Sequence, residues 1–194
     1  GAALLHAYAF VDRVKTKQFE DLCNHTPIED RFVASFVTSL QQIQRIVDAA
    51  YNTFESAFGK TIGTDRTDFQ VTFMTKSYID GKITIPACAN REGRAPRSMV
   101  LRKTTPDIYD NTVTAVVYRE ARPSVHIVGD TTREDYHALY PEEKEEIKSS
   151  IIFPVLSDKN ELLGTLVVYC DKPNFFTREH HKYWNDLLEV FAKR

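Results

Sequence analysis

Apolar and polar positions along this chain switch between two periods, and the switches mark its elements. Leu4, Leu5, Tyr8, Val11, Val14 and Leu22 fall roughly on one side of a wheel, which predicts a helix over 4–22. After Cys23-Asn24-His25 a second helix begins, with Thr26 as N-cap, Pro27 at the first helical position and Glu29 completing a capping box. Phe36, Leu40, Ile43, Val47, Ala50 and Phe54 then recur at alternating steps of four and three, the stripe of a long amphipathic helix that Gly59 ends.

The period next falls to two. Phe69, Val71 and Phe73 alternate with Gln70, Thr72 and Met74, so one face of this strand is expected to be buried. Asp80-Gly81 signals a tight turn, and Ile83 and Ile85 resume the alternation on a return strand that Pro86 disturbs. Residues 90–104 are basic and irregular. A helix is expected from 106 or 107 to about 119, then a short strand from Ser124 to Val128, then a helical stretch around 132–148. Ile151–Leu156 and Leu162–Cys170 read as two strands joined by Ser157-Asp158-Lys159-Asn160. The second is apolar on both faces, which predicts a central strand covered on both sides. Pro154 implies that the first lies at an edge or is bulged there. A last helix is expected from near Thr177, with Tyr183, Trp184, Leu187, Leu188 and Phe191 on its buried stripe. The whole order predicts an α+β fold, a largely antiparallel sheet with helices on both sides.

Composition narrows the function classes. The 194 residues suit one domain with extensions, or at most two small ones. A net charge of −2 and a pI near 6.3 give no field to draw nucleic acid or an anionic membrane. The basic loop carrying Arg91, Arg94, Arg97, Arg102 and Lys103 is offset by the acidic segment Glu142–Glu146. No apolar run approaches the about 20 residues that cross a bilayer. Cys23, Cys88 and Cys170 are odd in number and far apart, against a disulfide framework or a structural zinc site. These features predict a cytoplasmic setting, without nucleic acid and without direct membrane insertion, and leave open an anchor elsewhere in a longer parent protein. Gly1 has no Met before it, as expected of a piece of such a protein.

Four segments of the C-terminal half resemble the GAF domain. Tyr118–Asp130 is similar to the segment in which a helix ends in a small residue and Pro and a short strand ends in Asp. Ile147–Val155 resembles the "SSxxxPV" strand, Glu161–Leu166 the "xxxGxL" strand, and Phe176-Thr177-Arg178-Glu179 the start of the last helix. The resemblance implies a GAF/PAS-like antiparallel sheet of about five to six strands, with helices on both faces and the N- and C-terminal helices packed together. Residues 1–25 would be a helical extension or linker and 26–194 the GAF domain.

The resemblance also implies a regulatory sensory role. A small molecule of unknown identity would sit in a cup lined by Arg119, His126, Asp130, Tyr136, Phe153, Thr165 and Tyr169. Its occupancy would be signalled to an effector outside this chain, through a homodimer joined along Phe36, Leu40, Ile43, Val47 and Phe54. The competing reading of that stripe is that it covers its own sheet. The alternative for the whole domain is a ligand-free scaffold for dimerisation or protein interaction.

Chemistry known elsewhere in the family finds less support. Family members that reduce free methionine sulfoxide use a cysteine shortly before the strand matching Ser150–Val155, and residues 131–149 hold none. Lys172, Phe176 and Glu179 match part of a cyclic-nucleotide signature whose Asn is absent. No cysteine lies between Cys88 and Cys170 to carry a bilin, and His126 or His137 as a haem ligand stands alone. No cofactor and no catalytic residue is assigned.

Overall fold

The computed structural model describes residues 31–59, 66–76, 83–91, 124–133, 145–157, 159 and 161–192. Their order is helix α1 (Arg31–Phe58), strands β1 (Phe69–Lys76), β2 (Ile83–Asn90), β3 (His126–Val128), β4 (Ser149–Leu156) and β5 (Leu162–Cys170), a 3-10 turn (Arg178–His180) and helix α2 (His181–Ala192). The five strands form one sheet in the order β2-β1-β5-β4-β3, antiparallel at every junction. β5 lies in the middle, where a strand with two apolar faces has both edges paired.

Register divides the side chains into two surfaces, because directly opposed residues share a face. The rows Gln70–Tyr169–Ser150, Thr72–Val167–Ile152 and Met74–Thr165–Pro154 form one surface. The rows Phe69–Cys170–Ser149, Val71–Val168–Ile151 and Phe73–Leu166–Phe153 form the other. The second surface carries the main core. α1 places Val47, Ala50 and Phe54 on it, and α2 places Trp184, Leu187, Leu188 and Phe191 beside them. Burying a side chain of this size contributes ~1.5–3 kcal/mol. The two helices also touch each other. Phe54 joins them, its ring 5.6 Å from Phe69, 5.8 Å from Phe58, 6.1 Å from Phe176 and 6.2 Å from Trp184.

Local details follow from residue chemistry. The Gln44 side chain donates to Asp48 Oδ1 and to the Cys88 carbonyl, both at 2.8 Å, which ties α1 to β2. The Gly59 amide still donates to the Glu55 carbonyl at 2.9 Å, closing α1. Between β4 and β5, the Ser157 hydroxyl oxygen accepts from the amides of Lys159 (3.2 Å) and Glu161 (3.1 Å), the side-chain turn expected of serine there. Pro86 has the disturbance expected. Phe73 faces Ala87 while Thr75 faces Thr84, so β2 bulges by one residue at this point. Pro154 follows the end of β3, whose pairing with β4 stops at Ile152, and a register shift comes next at Val155 and Leu156. β4 is therefore internal at Ser150–Ile152 and has no β3 partner from Pro154 onward.

Two expectations need correction. Tyr183 was expected on the buried stripe of the last helix and is 44% exposed. Its place one step before Trp184 turns it by about 100° toward solvent. The stripe Val47–Phe54, offered as a dimer seam, covers this chain's own sheet, with both residues fully buried within the chain. Ile43 packs partly buried on the same core. Phe36 and Leu40 lie in α1 with side chains outside the described residues. The helix over 4–22, the Thr26 cap, the Asp80-Gly81 turn, the helix over 106–119 and most of 132–148 also lie outside them, though Glu145 and Glu146 are helical. Among the described residues no helix is long and apolar enough to cross a membrane.

Candidate functional site

The sheet surface away from α1 and α2 has a composition that an ordinary core lacks. Its centre is apolar, formed by Ile152 and Val167, with Met74 and Tyr169 half-buried against them. Between these sit Thr72, Thr165 and Ser150, each 0% exposed. Cys88 extends the Thr72 row on β2, and His126 extends the Ile152 row on β3.

Among the described residues the hydroxyls of Thr72, Thr165 and Ser150 have no hydrogen-bond partner. Other buried hydroxyls do have one. Thr53 donates to the Ala49 carbonyl at 2.8 Å, Thr131 to Ile147 at 2.6 Å and Ser149 to Lys172 at 2.8 Å. A buried hydroxyl left unsatisfied costs about 1–3 kcal/mol, and native proteins retain few of them. Three on one face, on the adjacent strands β1, β5 and β4, mark a place suited to a partner with polar atoms of its own.

The residues singled out from sequence fall in several places. Thr165 and Tyr169 lie on this floor, and His126 on its outer row. Phe153 is a correction: it faces Leu166 on the helix-covered surface and belongs to the main core. Ile152 and Phe153 are both apolar, so the pattern along β4 does not choose between them, and only the register against β5 does. Arg119 and Tyr136 lie outside the described residues. Thr72 and Ser150 were not singled out, because a hydroxyl residue in a strand reads as an ordinary β-former. The available signal was the alternation of Thr72 and Met74 with Phe73, which placed them together on the face away from the apolar one.

Asp130 is buried and engaged in its own turn. Its Oδ1 accepts from the Thr132 hydroxyl at 2.6 Å and amide at 2.9 Å, and its Oδ2 lies 3.4 Å from the Arg133 guanidinium. These bonds, the Thr132 hydroxyl first, hold its carboxyl below its ordinary value of 3.8. A depressed carboxylate pKa stabilises the fold above the unfolded value, and that stability is lost as pH falls through the folded value. Asp130→Asn is therefore expected to lower the thermal midpoint at pH 7, and the gap to wild type should close below about pH 4. Circular-dichroism melts from pH 7 to pH 3 check this, and a gap that stays constant contradicts the assignment.

Cys88 and Cys170 are poorly placed for chemistry. Burial pushes the Cys170 thiol up to about 12. Burial, helped by the charge of Asp48, also raises Cys88. Cys23 lies outside the described residues. Phe176, part of the nucleotide-like match, is fully buried under the helices, and Glu179 is exposed. His181 Nε2 lies 3.1 Å from both the Val125 carbonyl and the Ser124 hydroxyl, and His180 Nδ1 lies 2.7 Å from the Thr177 hydroxyl. Both rings fasten the start of α2. Among the described residues no three His, Cys, Asp or Glu side chains gather where they could hold a metal ion.

Comparison with known proteins places this geometry. A family model described as the GAF domain matches residues 38–192. The fold is similar to a solved structure of a GAF domain, at 13% identity over 98% of this chain and 90% of that one, with a TM-score of 0.56. It is similar to the GAF domain of an Acinetobacter phosphoenolpyruvate-protein phosphotransferase, at 11% identity over 93% and 89% with a TM-score of 0.54. It is also similar to the free methionine-R-sulfoxide reductase of Neisseria meningitidis in complex with its substrate, at 15% identity over 96% and 88% with a TM-score of 0.54. Identities this low bear on the fold alone. No curated relative matches the sequence.

Proposed function

Because the chain belongs to the GAF domain family, we propose that it is a regulatory sensory domain that binds a small molecule on the hydroxyl-bearing face of its sheet and performs no chemistry itself. The observation that carries this reading is the trio of buried, unpartnered hydroxyls on Thr72, Thr165 and Ser150. A ligand supplying the missing hydrogen bonds would recover a cost that the free protein bears.

The same strands present both surfaces. Val167 faces the floor while its neighbours Leu166 and Val168 face α1 and α2. A shift of β5 on occupancy therefore reaches the helices directly, and from them an effector beyond this chain. The centre of the floor is almost wholly covered, so entry requires displacement of what covers it. That coupling of binding to rearrangement is what a sensor uses, since a ligand shifts a conformational equilibrium only by its preference for one state. Homodimerisation stays within the proposal, through surfaces other than Val47 and Phe54.

One observation favours a second reading. A floor whose centre is almost wholly covered also suits a domain that holds no ligand and serves as a scaffold. The reductase reading is disfavoured by raised thiol pKa values at Cys88 and Cys170, which leave little thiolate near neutral pH. Native mass spectrometry of protein purified from cells decides between the first two. The expected spectrum contains a noncovalent adduct of small mass that is absent after denaturation and refolding. Protein that never carries such an adduct, from any growth condition, supports the scaffold.

A further inference from the structure

We propose that helix α2 grips the outer strand β3 by its backbone, so that the two move as one body, and that this clamp carries a change at the outer end of the sheet into α2. This rests on the sensing reading above and adds a route by which occupancy is passed on.

β3 is the short strand of the sheet. Among the described residues it pairs with β4 over His126–Val128 alone, whereas β4 pairs with β5 from Ser149 to Leu156. Carried back from His126, the register would set Val125 against Phe153 and Ser124 against Pro154. Proline has no amide hydrogen to give to a ladder. The backbone of Val125 turns to α2 instead. Its amide donates to Asn185 Oδ1 at 3.1 Å, and its carbonyl accepts from His181 Nε2 at 3.1 Å. A carbonyl can only accept, so this bond sets the His181 proton on Nε2. His181 and Asn185 are four residues apart, on one face of α2 and a turn from each other. Together they take the N–H and the C=O of one buried residue, as a neighbouring strand would.

The far end of β3 is held by the same part of the chain. The Asn174 amide donates to the Gly129 carbonyl at 2.6 Å. Asn174 has a φ of 56°, left-handed backbone that asparagine adopts more readily than most residues. It lies in the connection between β5 and α2. One stretch, Asn174 to Asn185, therefore fastens β3 just before its first residue and just after its last. The bonds hold main-chain atoms, so a displacement of β3 is passed on as a whole. Val125 and Ile127 face the core that α2 covers, while His126 shares the floor with Ile152. The clamped backbone is thus the short path from the His126 side chain to α2. Release leaves two buried backbone groups to find other partners, which gives the clamp two discrete positions.

The test uses the intact chain and amide-resolved NMR. His126→Ala is the perturbation, read as chemical-shift changes at the amides of Leu187 and Leu188 on α2. It is repeated in a background without the clamp, His181→Ala combined with Asn185→Ala. The changes seen with the clamp present are expected to fall by about threefold or more without it. Asn185→Asp and His181→Gln keep an acceptor and a donor, and should preserve the transfer. Exchange of the Val125 amide should quicken by about tenfold or more when the clamp is removed. The amides of β1 and β5 should keep their protection, which shows the sheet intact. Either single alanine variant gives the same comparison where the pair disturbs the sheet.

Transfer of equal size with and without the clamp overturns the route, and so does a His126→Ala change that never reaches α2. If such protein carries a native small-molecule adduct, sensing stands and the path alone is wrong. Protein that never carries an adduct removes the sensing reading, and the signalling role of the clamp goes with it.

Discussion

Gly164→Ala lowers the thermal midpoint by about 6–12 °C on the packing seen here. Gly164 is buried in the central strand β5. A Cβ there would collide with Phe73 Cζ and lie 2.8 Å from Phe73 Cε1 and 2.6 Å from the Met74 carbonyl oxygen. The Phe73 ring is half-buried and has some room to swing away. The Met74 carbonyl is backbone in the neighbouring strand β1 and can yield only if the two strands part. Overpacking of this kind costs about 3 kcal/mol, the upper end of its usual range. A chain of this size loses roughly 2–4 °C per kcal/mol, which gives the stated shift. Phe73→Leu in the same background should restore part of the loss, since it removes the ring but not the carbonyl. Calorimetry of the single and double variants measures this. A single variant that melts within a degree of wild type would show that β1 and β5 do not approach as described.

Phe54→Ala should cost about 3–5 kcal/mol, the range for a large aromatic removed from a closed core. Phe54 is fully buried, and its four ring neighbours come from α1, β1, the segment before α2, and α2 itself. No single element can move in to fill the cavity without leaving another. Trp184 is the only tryptophan, and it packs against Phe54 with ring planes 22° apart. Denaturant unfolding followed by its fluorescence reports both the loss of stability and the repacking. Phe54→Leu should recover more than half of the loss. If the alanine variant unfolds within 1 kcal/mol of wild type, the helices are held to the sheet by something other than this cluster.

The fold was legible because its strands differ in pattern. β1 alternates, with Phe69, Val71 and Phe73 going to the helix side as the period of two requires. β5 is apolar throughout and takes the central position that only such a strand can occupy. The floor was less legible. In β4 the run Ile151-Ile152-Phe153 is apolar on both faces, so nothing local shows that Phe153 joins the core while Ile152 joins the floor. Thr165 and Tyr169 came from the family resemblance, whereas Thr72 and Ser150 became visible only through register and burial. A missing hydrogen bond is a property of what surrounds a hydroxyl, and the sequence of a strand carries no record of it. The same limit applies to α1. A stripe at steps of four and three marks a buried face and does not say whether the cover is a sheet or a second helix.

The strand order has a consequence for how the chain reaches this state. β1 forms a hairpin with β2 early in the chain, yet its other neighbour is β5, so Phe69 meets Cys170 across about a hundred intervening residues. A nascent chain emerging from the ribosome therefore holds a half-finished sheet, with one edge of β1 unpaired, until its last strand has been made. Closure across such a distance is slow, and in that interval the open edge is exposed to wrong partners. Any truncation that removes Leu162–Cys170 leaves two separate pieces of sheet rather than a smaller domain.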